Sequence, residues 1–200
     1  MNALIVDCGG PDRTCLGTAR RLTGADPVAL LRTPADGPVS VRFGTGEEVI
    51  ARLPGAGSLC GAMLTADRFD WAGELIVLTG PAHRWATHLD RLADDRPATA
   101  DAFFSFDPHD LAGAAGLTGV PLLDLSAAAA PALIWLRRTS DFFDLAQSAV
   151  RKDARVAGRF GFGSLVRELL LTQANVAFQT EDRCPIQAPI RAAELFLAAA

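Results

Sequence analysis

The chain has 200 residues, of which 50% are hydrophobic and 21% charged. That composition excludes a disordered chain and supplies enough apolar material for a buried core. The net charge of −4 is uneven: residues 1–125 carry 16 acids and 10 bases, residues 126–200 carry 7 acids and 9 bases, giving −6 and +2. No basic stripe with interleaved aromatics accompanies it, which argues against a nucleic-acid partner.

Taken along the chain, Ala3 to Asp7 is a short continuous apolar run, the pattern of a strand buried on both faces. It ends in the turn cluster Cys8-Gly9-Gly10-Pro11-Asp12, after which Thr14 caps a predicted helix through Leu22, closed by Gly24. Asp26-Pro27 reads as a second cap with proline at the first helical position, opening a short turn through Leu31. Val39 to Phe43 and Glu47 to Leu53 alternate across Gly44-Thr45-Gly46, the signature of a hairpin. Pro54-Gly55-Ala56-Gly57 breaks the chain before a short helix near Ser58 to Leu64.

Glu74 to Leu78 is a second buried strand, followed by Thr79-Gly80-Pro81 and a helix from Ala82 to Leu92. Asp101 to Phe106 is a third, and Asp107-Pro108 starts a short helix closed by Gly116. Val120 to Leu125 is a further strand, with Ser126 as a helix cap. Strands alternating with helices predict an α/β fold: a three-layer, mostly parallel, doubly wound sheet of flavodoxin or Rossmann type. From Ser126 onward no strand pattern is visible. Phe142, Phe143, Leu145, Ala146, Ala149 and Val150 recur at helical spacing, as do Leu165, Val166, Leu169, Leu170, Ala174 and Ala177. A last short helix is expected near Pro189 to Leu197. The expectation is a sheet domain over 1–125 and a helical C-terminal third over 126–200. That third packs on the sheet or in a homodimer or partner interface.

The longest apolar run, Ala127 to Leu136, contains Pro131 and falls short of the ~20 residues of a membrane helix. The N-terminus lacks a basic region, so no signal peptide is expected and the expected compartment is the cytoplasm. Cys8, Cys15, Cys60 and Cys184 form no close pair, so no metal site and no disulfide is expected. Only Lys152 among the 19 basic residues is lysine and tyrosine is absent, a usage that reads as high-GC coding bias.

In an open parallel sheet, ligands bind beyond the C-terminal strand ends. That places Asp7, Cys8, Thr79, Asp107, His109, Asp124 and Ser126 on one rim. The loop Gly9-Gly10-Pro11-Asp12-Arg13-Thr14 offers backbone N–H groups at a helix start, which suits a phosphate. On these residues, and on Glu74-Leu-Ile-Val-Leu-Thr-Gly-Pro-Ala-His-Arg-Trp85, the chain resembles the flavodoxin-like NAD(P)H-dependent FMN reductases. The resemblance implies an oxidoreductase. Its FMN phosphate would lie against Gly9, Gly10, Arg13, Thr14 and Thr18, with Thr79 and Trp85 beside the isoalloxazine ring.

Three other patterns compete. Gly55-Ala-Gly57-Ser-Leu-Cys-Gly61 echoes a dinucleotide fingerprint, but Leu78-Thr79-Gly80 provides no acid for a ribose. Asp7-Cys8-Gly9-Gly10 is similar to the first phosphate loop of sugar-kinase-like ATPases, which needs a hairpin where a helix is predicted. Cys8, near a helix start and with His83 or His109 as base, would make a thiol-dependent transferase or hydrolase. His83 and His88 lie five residues apart, about 140° around a helix, and cannot chelate together. His88 reads as a solvated helix residue, and Trp135, Phe142 and Phe143 as one core or interface cluster.

Overall fold

The computed structural model describes residues 1–6, 13–32, 39–43, 46–51, 57–79, 82–106, 131–155, 160–172, 174–179 and 186–187. These build an α/β fold on one mixed sheet. The strands are β1 (Asn2–Val6), β2 (Pro27–Arg32), β3 (Val39–Phe43), β4 (Gly46–Ala51), β5 (Leu75–Thr79), β6 (Ala102–Ser105), β7 (Leu133–Leu136), β8 (Val176–Gln179) and β9 (Ile186–Gln187). They order as β4-β3-β2-β1-β5-β7-β6-β8-β9. The helices are α1 (Arg13–Thr23), α2 (Gly57–Met63), α3 (Trp85–Asp95), α4 (Thr139–Arg151) and α5 (Phe162–Leu171).

β1 pairs in parallel with β2 on one side and β5 on the other. β7 is antiparallel to both β5 and β6, so β6 runs the same way as β5. Following the remaining pairs, β1, β2, β4, β5, β6 and β8 run in one direction and β3, β7 and β9 in the other.

The predicted hairpin is present as β3 and β4, and strands β1, β5 and β6 lie where their apolar runs place them. Two expectations are corrected. Asp26-Pro27 does not open a helical turn: Pro27 starts β2, a position that proline tolerates because the first strand residue can do without a ladder donor. The region after Ser126 is not wholly helical either, since it contributes β7, β8 and β9 to the sheet. Leu133-Ile134-Trp135-Leu136 is buried on both faces and therefore shows no alternation to separate it from a helix. The expected elements at 107–116, 120–125 and 189–197 lie outside the described residues.

Each strand divides its side chains between two cores. Leu4, Val6, Leu75, Val77, Phe104 and Ile134 pack against α2, α4 and α5. Ile5, Ile76, Leu78, Phe103, Leu133 and Trp135 pack on the opposite face against α1 and α3. Trp135 thus does not cluster with Phe142 and Phe143, which lie on the other side of the sheet. The helical stripes, expected either on the sheet or in an interface, pack within the chain: Phe142, Ala146, Ala149, Leu165 and Val166 are all fully buried.

This allocation fixes a point of winding. The chain leaves β1 through α1 toward β2, and leaves β5 through α3 toward β6, in opposite directions along the sheet. Both helices cover the same face. Two such crossovers have opposite hands, so one of them departs from the right-handed rule and from the expected double winding.

Local backbone chemistry sets the ends of these helices. Gly24 closes α1 at φ +68° with its N–H on the Arg20 carbonyl at 2.9 Å, a conformation in which glycine meets no Cβ clash. α4 receives no side-chain capping hydrogen bond from Arg138, at its N-cap, among the described residues. Its first N–H groups instead reach the segment before β5: Thr139 donates to the Gly73 carbonyl at 2.8 Å and Ser140 to that of Trp71 at 3.0 Å. Asn2 locks the same junction, donating to the Asp70 carbonyl at 2.5 Å and to Thr139 Oγ1 at 2.7 Å.

Candidate functional site

Because β1, β5 and β6 run the same way, Val6, Thr79 and Ser105 finish on one edge of the sheet. The entry of β7 stands between the last two. Thr79 N–H donates to the Ala132 carbonyl at 3.0 Å, and Ala132 N–H to the Ser105 carbonyl at 2.8 Å. The gap between β5 and β6 is therefore closed by backbone, while β1 and β5 remain direct neighbours.

The described members of the expected site divide accordingly. Thr79 is 8% exposed and its hydroxyl donates to the Pro131 carbonyl at 2.6 Å, so it is committed to the fold. Trp85 is fully buried, with its indole N–H on the Thr79 carbonyl at 2.9 Å. It packs into the core with α1 and α3. His83 is exposed on the 3-10 turn Ala82–Arg84. Thr18 is half-buried, one turn into α1. Arg13 and Thr14 are the first two residues of α1, described through their backbone. Cys8, Gly9, Gly10 and His109 lie outside the described residues.

One pair on this rim escaped the sequence. His88 is 2% exposed, not solvated, and its Nδ1 lies 2.8 Å from Oγ of Ser105, which is fully buried. The available signal was the spacing of Trp85, His88 and Leu92, which puts the imidazole on the buried stripe of α3. The pairing with Ser105 depends on which strand α3 covers, and the sequence does not state that. With both side chains sealed, the arrangement is a core hydrogen bond rather than an open nucleophile and base.

At the opposite edge, a cleft of about 330 Å³ lies between Asp101, α4 and α5. Its charges are largely paired. Arg138 holds Asp141 through contacts of 3.0 and 3.2 Å, and Asp101 accepts the Asn175 N–H at 3.0 Å. Nearby, on the α3 face, Trp135 lies under Arg96, whose guanidinium carbon is 4.1 Å from the ring centroid, and its N–H reaches Glu74 at 3.3 Å. Arg137 belongs to the same staple, donating to the carbonyls of Ala98 and Ala100 at 2.7 and 2.6 Å.

Two ionisable groups in the other core are perturbed. Burial pushes the Cys60 thiol up, and the nearby Arg155 offsets this only in part, so Cys60 is held as a thiol. Burial also pushes Glu168 up, but hydrogen bonds from Lys152 and Ser148 outweigh it and hold the carboxyl below its ordinary value. Among the described residues no three histidine, cysteine or acidic side chains gather as metal ligands. No described helix is long and apolar enough to cross a membrane. No protein-family model matches the chain, and no curated protein matches it.

Proposed function

We propose that the chain binds a phosphate-bearing small molecule where β1 passes into α1, with FMN as the most specific candidate and flavin-dependent oxidoreduction as the reaction class. The observation that carries this reading is the position of β1. It lies between β2 and β5, parallel to both, and the chain leaves it on one side and returns on the other. At the C-terminal end of β1 the chain enters a helix start, whose free N–H groups and dipole suit a phosphate. Gly9, Gly10, Arg13, Thr14 and Thr18 supply the loop and first turn. If flavin is bound, it supplies the electron-transfer chemistry, and this chain places and shields it.

The experiment is a titration of the purified chain with FMN, followed by flavin fluorescence and visible absorption, beside a thermal-shift series with inorganic phosphate and pyrophosphate. Saturable quenching of the flavin supports the full reading. Stabilisation by phosphate or pyrophosphate alone keeps the anion site and removes FMN. No response to any of the three removes the site.

The alternative of an accessory protein dimerising through its C-terminal helices has less behind it, because α4 and α5 bury their apolar stripes within the chain. The thiol-dependent transferase or hydrolase rests on Cys8; selective labelling by a mild electrophile, lost in Cys8→Ser, is its test.

A further inference from the structure

We propose that Lys152 is an acylation site whose loss of charge loosens α5 from α4. Among the 19 basic residues of the chain it is the one lysine. A coding bias explains the arginines; it does not explain the exception. At this position the ammonium has a particular task. Its Nζ lies 2.6 Å from Oε2 of Glu168, a carboxylate on α5 that is 2% exposed. The same oxygen accepts the Ser148 hydroxyl at 2.7 Å, and the other, Oε1, is buried without a hydrogen-bond partner among the described residues. Lys152 is the one cation hydrogen-bonded to this carboxylate among the described residues.

The two ends of the bond differ in access. Glu168 is sealed, whereas the Lys152 side chain is 58% exposed. A reagent in solvent can therefore reach the amine without opening the core. An arginine here would keep its charge against any acyl donor, while a lysine loses its charge on acylation. The reacting species is the neutral amine, formed when Nζ swings off Glu168 and gives a proton to water. It attacks the carbonyl carbon of an acyl phosphate. The N–C bond forms, the C–O bond to phosphate breaks, phosphate leaves with the electron pair and takes up the surplus amine proton. The amide that results is neutral and no longer balances the carboxylate. Glu168 is then a buried anion with a single hydroxyl donor, and it must be protonated, hydrated or expelled. Its neighbours on α5, Leu165 and Leu169, are core residues, so expulsion disturbs the α4–α5 packing directly.

The test uses the whole chain treated with acetyl phosphate, the modified positions located by peptide mass, and thermal unfolding followed by circular dichroism. Acetylation at Lys152 is expected to lower Tm by roughly 5–10 °C, the scale of leaving a buried carboxylate without its half-exposed cation in a domain of this size. Lys152→Arg, carried through the same treatment, controls for the amino terminus. It is expected to hold its Tm within about 2 °C and to ignore the reagent. Three results overturn the proposal: Lys152 refuses the reagent in the folded chain but accepts it when unfolded; the acetylated chain melts like the untreated one; or Lys152→Arg melts as low as the acetylated chain. The last would show that lysine is kept for the shape of the ion pair.

Discussion

Replacing Trp85 by phenylalanine separates a structural tryptophan from a ligand-contacting one. The substitution removes the indole N–H that lies 2.9 Å from the Thr79 carbonyl, at a side chain with no solvent exposure. Stranding a buried carbonyl costs about 1–3 kcal/mol. The smaller ring adds a void, and at ~24 cal/mol per Å3 a gap of some tens of Å3 contributes about 1 kcal/mol. The sum is about 2–4 kcal/mol, or a fall in Tm of roughly 5–15 °C for a domain of this size. Urea unfolding reads the loss, and acrylamide quenching reads the environment: Trp85 and Trp135 are shielded, whereas Trp71 is 47% exposed. The variant is expected to lose a protected component and keep the quenchable one. An unchanged urea midpoint with loss of quenchable fluorescence would mean that Trp85 faces solvent, and the reasoning about this rim would fail.

Ser105→Ala removes the partner of His88 Nδ1 inside the core, and is expected to lower stability by about 1–3 kcal/mol in urea unfolding. A neutral result would show that the imidazole has a second arrangement of equal energy. Glu168 is held below its ordinary value, so its stabilisation is present above the usual glutamate range and is lost as pH falls through the lowered value. Glu168→Gln is accordingly expected to be less stable at neutral pH and to show a shallower loss on acidification; an acid limb identical to that of the parent chain would refute the assignment. Cys60, with its thiol pushed up by burial, is expected to alkylate more slowly at pH 8 than glutathione, measured by peptide mass over time. Faster alkylation would place a stabilised thiolate there instead.

How far the sequence could be read depends on whether an element carries its own pattern. β1 and β5 are legible because an uninterrupted apolar run of strand length, bounded by turn residues, has few alternatives. The hairpin is legible because its turn and its alternation agree. Pro27 is ambiguous by its chemistry: the same missing donor that suits a first helical turn suits a first strand residue, and the neighbours β1 and β3 decide. β7 has four residues, too few to display a period, and it follows an alanine-rich stretch that reads as helix. β8 begins one residue after Asn175, and its alanine falls in register with the stripe of α5.

The candidate site was legible to the extent that it depends on strand direction, and illegible where it depends on strand order. That β1, β5 and β6 share an edge follows from their common direction, which the sequence pattern anticipates. That β7 enters between β5 and β6 does not, because a four-residue antiparallel insertion leaves no trace in the segments it separates. Its effect is large: it draws the Thr79 hydroxyl and N–H into hydrogen bonds with the backbone of residues 131 and 132. It also separates β6 from β5, so the crossover through α3 spans an extra strand on the face that α1 already covers. β1 and β5 are left as the direct parallel neighbours at this end of the sheet. A ligand that bound instead beyond β6 would have to reach past closed backbone, so ligand-induced protection from hydrogen exchange should centre on Val6 and the first turn of α1, and its appearance around Ser105 without them would relocate the site.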